Sequence, residues 1–200
     1  MWPEPKSIQA HLPIPFRARY GHVISVIDCL EIQIEKPTNP VSQALTWSNY
    51  YGCNTLKYLI SCTPDGLVNF VSDGFGGRAS DVIMVEHSGY LDKLVQNTCV
   101  MADRGFKNIS RLLQQKNCTL VRPPSVSCDA RSTKVEVKEA KRIAALRIHV
   151  ERVIRRLREF NMLAQHACID RQLISILDYA VIIACGIINM QDHLIKGLFI

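Results

Sequence analysis

Apolar and polar positions along this chain follow two different periods, and the switches between them mark out the elements. From Val23 the run VISVID is apolar and β-branched, which predicts a strand covered on both faces and ended by Asp28. CNTLKYLISCT predicts a second strand. Thr63-Pro64-Asp65-Gly66 predicts a turn, because Pro presets φ and Gly supplies the permissive position, and LVNFVS returns as the other arm of a hairpin. The loop DGFGGRASD leads into a helix capped by Ser80 or Asp81, with Val82, Val85, Leu91 and Leu94 as its apolar stripe. TCVMAD is a short apolar strand ending on Asp103. Asn108 or Ser110 then opens a short helix, and CTLVRPP is a strand that two prolines stop.

A polar linker, SVSCDARST, precedes the longest helical pattern, from about Lys134 to Phe160. There Ile143, Leu146, Val150, Ile154 and Leu157 recur at three- and four-residue steps. A final helix, about Arg171 to Met190, is apolar nearly all round and is expected to be buried. Residues 1–20 hold four prolines and show no period, so they are expected to form an N-terminal arm; residues 21–200 form the domain. Three strands before the first helix, then alternation, predict an α/β fold: a mixed sheet flanked by helices, with two C-terminal helices. This order resembles an RNase H-like core, in which the first strand and a later one lie side by side.

Charge sharpens the picture. The formal net charge is +6, yet between Arg131 and Arg158 there are ten Lys or Arg against three Glu, so one segment carries the whole excess. Such a stripe suits a polyanion such as DNA as well as it suits a solvated helix face. The eight cysteines are scattered without CxxC or zinc-finger spacing and are expected to be reduced. MWPEPKSIQAHLPIPFRARYG has no apolar h-region of a secretory signal, and the apolar stretch from Leu173 to Ile188 is broken by Ser175, Asp178 and Tyr179. The expectation is a soluble intracellular protein with no membrane contact.

Most carboxylates of a globular chain are surface or capping groups. Asp28 and Asp103 differ because each is the first polar residue after a buried apolar strand, and ligands of open α/β sheets gather at the carboxyl ends of strands. If the two strands are neighbours, the acids converge, and a divalent cation offsets their repulsion; oxygen-only donors favour Mg²⁺ or Mn²⁺ over zinc. Taken singly, each Asp is more simply read as a turn cap. Glu151 sits on the rim of the long helix's stripe, with Arg147, Arg155 and Arg158 at steps of four, four and three. That face offers a metal ligand among phosphate-gripping guanidiniums, or simply a row of i,i+4 ion pairs. Gly74-Phe75-Gly76-Gly77 lacks P-loop spacing and reads as a flexible turn. Trp47 and Tyr50 lie where stacking on unpaired bases is open to them, with loop packing the default. His149 reads as packed or surface rather than as a catalytic base.

Several segments carry a family resemblance. VISVIDCLEIQIEKPTNP, ALTWSNYYGCNTLKYLISCTPDGLVNFVSDGFGGRASD, SGYLDKLV, VMADRGF, TLVRPP and KEAKRIAALRIHVERVIRRLREFNML follow one another as in the DDE endonuclease domain of PIF/Harbinger-type transposases. The resemblance covers roughly Gly21 to Met190. It implies a catalytic, metal-binding triad of Asp28, Asp103 and Glu151, in motifs similar to IDCTE, ADRGF and HVER; Glu31, three residues after the first Asp, is an auxiliary candidate by its position. It implies two-metal phosphoryl transfer on DNA, with Asp28 bridging two Mg²⁺ or Mn²⁺ ions and Asp103 and Glu151 each holding one. Arg147, Arg155 and Arg158 would grip the backbone. A homodimer, a separate DNA-binding protein and a nuclear location are further expectations. Arg158 stands where the family usually has Lys, Leu30 where Thr is common, and no upstream DNA-binding segment is visible. A domesticated, non-catalytic DNA- or protein-binding module remains the alternative. A phosphatase of the aspartyl-phosphate type is set aside, because Cys29 and Leu30 follow Asp28 where that chemistry needs Asp-x-Asp.

Overall fold

The computed structural model describes residues 2–124 and 133–192, so the expected linker, apart from Thr133, lies outside the described residues. Two short helices open the chain, α1 (Pro5–Ala10) and α2 (Ile14–Arg17). The expectation that residues 1–20 lack a period is corrected: Ile8, Leu12, Phe16 and Tyr20 recur every four residues and all are buried. Prolines hide the pattern, since Pro5 and Pro15 stand in first turns, where a missing N–H is cheap.

β1 (Val23–Ile34) is twelve residues long and runs through Asp28 instead of ending there. The sequence misleads because the strand changes character midway. Its first half is buried on both faces, while its second half alternates, with Leu30, Ile32 and Ile34 buried and Cys29, Glu31 and Gln33 half-buried. α3 (Pro40–Thr46), capped by the Asn39 side chain on the N–H groups of Val41 and Ser42, leads to the two-residue β2 (Trp47–Ser48). β3 (Cys53–Cys62) and β4 (Val68–Val71) form the expected hairpin, closed by the Gly66 N–H donating to Thr63 O at 2.8 Å, with Gly66 at φ +96°.

The Gly-rich segment is not an open turn. It holds β5 (Phe75–Gly76), paired with β3 and pressed against the end of α3. A Cβ on Gly77 would lie 2.1 Å from Thr55 Oγ1 and 2.8 Å from Thr46 O, so these glycines permit close backbone approach. α4 (Asp81–His87) follows, capped by Ser80 as expected. It stops early, because Gly89 at φ +76° turns the remaining stripe into a separate 3-10 turn, Tyr90–Lys93.

β6 (Cys99–Met101), α5 (Ser110–Gln115) and β7 (Thr119–Val121) complete the alternating part. α6 (Lys134–Leu157) starts in a reciprocal capping box between Thr133 and Glu136. β8 (Cys168–Ile169) and α7 (Ile174–Asn189) close the described chain.

The sheet runs β2-β3-β1-β6-β7, with β4 and β5 also on β3 and β8 on β1. β1 pairs antiparallel with β3 and parallel with β6, and β6 parallel with β7, so the first strand and a later one do lie side by side in a mixed sheet. Period-2 alternation divides β1 between two cores. Val26, Leu30, Ile32 and Ile34 pack with Ile143, Leu146, Val150 and Val153 of α6 and with α7; Ile27 packs with Met84, Val85, Phe106 and Ile109 on the opposite face.

The expectation of a buried last helix needs correction. α7 buries Leu177, Val181, Ala184, Cys185 and Ile188 and exposes Ile176, Tyr179, Ile182 and Ile183. The segment Arg171–Asn189 is long and apolar enough to cross a membrane by length and composition. Polar ties hold its inner face. Asp178 accepts from Tyr58 Oη (2.7 Å) and the Gly74 N–H, and the Asn189 amide pairs with both the N–H and C=O of Val68, each at 2.8 Å.

Two stability predictions follow from packing. Gly77→Ala should lower the unfolding free energy by about 1–3 kcal/mol through overpacking, whereas Gly186→Ala, in α7 with open space around it, should raise it by up to about 1 kcal/mol. Urea midpoints at constant slope check both. His149 is buried on α6 against the Phe16 ring (centroids 5.8 Å), and its Nδ1 has no partner among the described residues. Burial and then Arg152 pull its pKa below the usual value, against a weaker opposing pull from Asp65. A base with a depressed folded pKa favours folding above its unfolded pKa of about 6.5, and that stability is lost as pH falls from there toward the folded value. His149→Phe should flatten stability between pH 7 and pH 5, measured by thermal melts at each pH.

Candidate active site

Parallel pairing sets the site. Val26 of β1 is level with Met101 of β6, and Asp28 and Asp103 each stand two residues further on. Equal, even offsets bring both side chains out at the same edge and on the α6 side of the sheet. Neither acid is a turn cap. Asp28 lies within β1, and Asp103, although it precedes the 3-10 turn Arg104–Ile109, makes no side-chain capping bond.

Both carboxylates point at Arg147. Its Nη2 donates to Asp28 Oδ2 at 3.2 Å and its Nη1 to Asp103 Oδ1 at 2.9 Å, and Glu151 Oε1, one helical turn on, lies 3.9 Å from the same Nη1. The three expected acids are therefore brought together around one guanidinium. The Arg147 side chain is 10% exposed, against 25% for Asp28, 50% for Asp103 and 56% for Glu151, so the cation is the innermost member. A buried charge of this kind needs its partners; removing one typically costs several kcal/mol.

Burial pushes the Asp28 carboxyl above its ordinary range, and the charges of Asp103 and Glu151 push the same way. Arg147 and the Cys29 N–H, which donates to Asp28 Oδ1 at 2.8 Å, pull it back. Both Asp28 oxygens are thus engaged. The next residue faces the other layer, where burial pushes the Cys29 thiol well up and its Sγ lies 3.8 Å from Asp81, itself paired with Lys57 at 2.8 Å. A protonated thiol in that setting is no nucleophile.

The other expected residues part company. Arg147 was expected on a DNA-facing row, and the structure turns it inward. Arg155 is exposed. Arg158 is half-buried and donates to Glu31 O (2.9 Å) and Leu163 O (3.4 Å), tying the end of α6 to β1. The Glu31 side chain accepts from Thr55 Oγ1 at 3.0 Å, on the pleat opposite to Asp28. Leu30 is fully buried in the α6-side core. Trp47 and Tyr50 are exposed, and Tyr50 stacks edge-on against Tyr51. The sequence does not single out Tyr51, whose hydroxyl pKa is pushed up by burial, pulled back by Arg158 and raised further by Glu31, Tyr50 and Asp28.

The donor chemistry fits a hard divalent cation: three carboxylates, no sulfur or imidazole, at the end of a parallel strand pair. The guanidinium stands between them, and among the described residues no group of three acidic, His or Cys side chains stands close enough to hold a metal as placed. Asp28, Asp103 and Glu151 are the side chains that would hold one, with Arg147 where its charge would go.

No curated protein and no solved structure matches the chain. A family model described as DDE superfamily endonuclease matches residues 27–189, a span that takes in β1 from Ile27, β6 and α6 and so every member of the acidic cluster. The chain belongs to the DDE superfamily endonuclease family.

Proposed function

We propose that this endonuclease domain is of the PIF/Harbinger transposase type and cleaves DNA with divalent cations, Mg²⁺ or Mn²⁺, held by Asp28, Asp103 and Glu151. The convergence of those three carboxylates on one cationic centre carries the reading. Bound divalent ions would supply Lewis acidity for in-line displacement at a DNA phosphate. The chain's own contribution is placement. The β1/β6 pair fixes two ligands on a rigid edge, and α6 brings the third on a side chain more than half exposed, free to adjust.

Arg155, exposed one turn after Glu151, is positioned to meet the phosphate backbone beside the reacting bond. Arg158 supports this edge by holding the Glu31 carbonyl. The exposed rings of Trp47 and Tyr50 suit unpaired bases. Action on DNA suits a nuclear protein, with a second copy or a separate DNA-binding chain supplying end recognition.

The alternative is a binding module that keeps the fold without the chemistry. One observation favours it: a guanidinium already offsets part of the acids' charge. Titration calorimetry with Mn²⁺ separates the two, because such a module takes up no divalent ion at the triad.

The central test is cleavage of supercoiled plasmid with Mg²⁺ or Mn²⁺. Asp28→Asn and Glu151→Gln should each lower the rate by at least about a hundredfold while melting remains cooperative; unchanged cleavage by Asp28→Asn rejects the assignment. Arg155→Ala should weaken DNA binding across sequences and reduce the slope of log K against log salt by about 1, read by fluorescence anisotropy over a salt series.

A further inference from the structure

Arg147 occupies a position that helix periodicity reserves for an apolar side chain. It lies four residues after Ile143, three before Val150 and seven before Ile154, within the stripe that packs on the sheet. A charge placed there is committed to an inward partner. The structure supplies three, with Nη1 and Nη2 divided among Asp103, Asp28 and Glu151. The fit is incomplete, because Nε is buried without a hydrogen-bond partner among the described residues. The guanidinium is therefore anchored by its two terminal nitrogens alone, through contacts to one oxygen of each acid that would hold a metal. Each Asp28 oxygen already accepts one hydrogen bond, Oδ1 from Cys29 N and Oδ2 from Arg147.

From this we propose that Arg147 is the resident counter-ion of the carboxylate cluster, and that a divalent cation loads only by displacing its guanidinium. Residue 147 thus sets the concentration at which the site takes up metal. The proposal rests on the metal-binding reading above. Without metal, the guanidinium holds three acids together that would otherwise repel one another. With metal, the same charge within hydrogen-bond distance of two ligands opposes the incoming ion. Loading is an exchange of one cation for another, and its affinity is lower than the three acids alone would give.

The test uses the full chain. Mn²⁺ binding is measured by titration calorimetry on the parent protein, Arg147→Gln and Arg147→Lys. Arg147→Gln should bind Mn²⁺ at least about tenfold more tightly than the parent, and its metal-free form should melt at lower temperature, with the deficit shrinking as Mn²⁺ is added. Arg147→Lys, which keeps the charge but loses the fork, should fall between. If Arg147→Gln does not fold, nitrogen-15 spectra of the parent decide the matter. The Arg147 side-chain signals should show hindered rotation without metal and lose it on Mg²⁺ addition.

Equal or weaker Mn²⁺ binding by Arg147→Gln, or an Arg147 signal that Mg²⁺ leaves unchanged while Mg²⁺ binds, overturns the proposal and leaves the nuclease reading in place. Absence of divalent binding by every protein, the parent included, overturns both.

Discussion

The parallel contact between the first strand and the sixth is the constraint from which the rest of the site follows. It sets Val26 opposite Met101 and so fixes Asp28 and Asp103 at the same height above the sheet edge. Because β1 and β6 are buried where they pair, their register is held by apolar packing on both faces, not by the acids themselves. The acids are carried to an edge where repulsion works against them, and the hydrophobic cores hold them there. α6 answers this arrangement. Its buried residues Leu146, Val150 and Val153 pack against β1, and the same packing delivers Arg147 between the acids and Glu151 beside them.

This division of labour separates what stabilises from what reacts. The α6-side layer carries the charged cluster and the larger core, whereas the opposite layer carries a second, smaller charged group, Lys57 with Asp81. Asp28 and Cys29 are adjacent in sequence and belong to different layers. One has its charge offset by a guanidinium, while the other is an un-ionised thiol pressed against a carboxylate and Met84. At the C-terminal side, Arg158 and Asn189 spend their side chains on main-chain groups of the sheet, so α6 and α7 are fastened by hydrogen bonds as well as by apolar area.

Much of this was legible in the residues, for reasons that differ from place to place. The hairpin, the Ser80 cap and the strand before Asp103 announce themselves through turn chemistry, capping and β-branched runs. Asp28 stands out by its position after VISVI, yet a charge at that point suggests a strand end, and β1 runs on through it. The strand's later half, with only every second residue buried, did not match the pattern of its first half. β5 and β8 are two-residue strands, too short for any period to register. The four-residue recurrence of Ile8, Leu12, Phe16 and Tyr20 was masked by prolines. Glu151 stood out through a motif and not through physics, since an exposed Glu on a basic helix is unremarkable. Arg147 is hidden for the opposite reason: its charge groups it with Arg155 and Arg158 and obscures its place in the apolar stripe, where an isolated cation signals an inward acidic partner.

The alternation of β1 has a consequence for how the chain reaches this state. Asp28 and Cys29 face opposite layers, so sliding β1 by one residue against β6 would not merely loosen the sheet. It would present a thiol to Arg147 and drive a carboxylate in among Met84 and Val85, leaving one buried cation and one buried anion stranded on different sides. Mispaired intermediates of that kind carry an electrostatic penalty that an all-apolar strand would lack. The acidic cluster thereby adds a charge penalty against the shifted register to the apolar packing that already favours the native one.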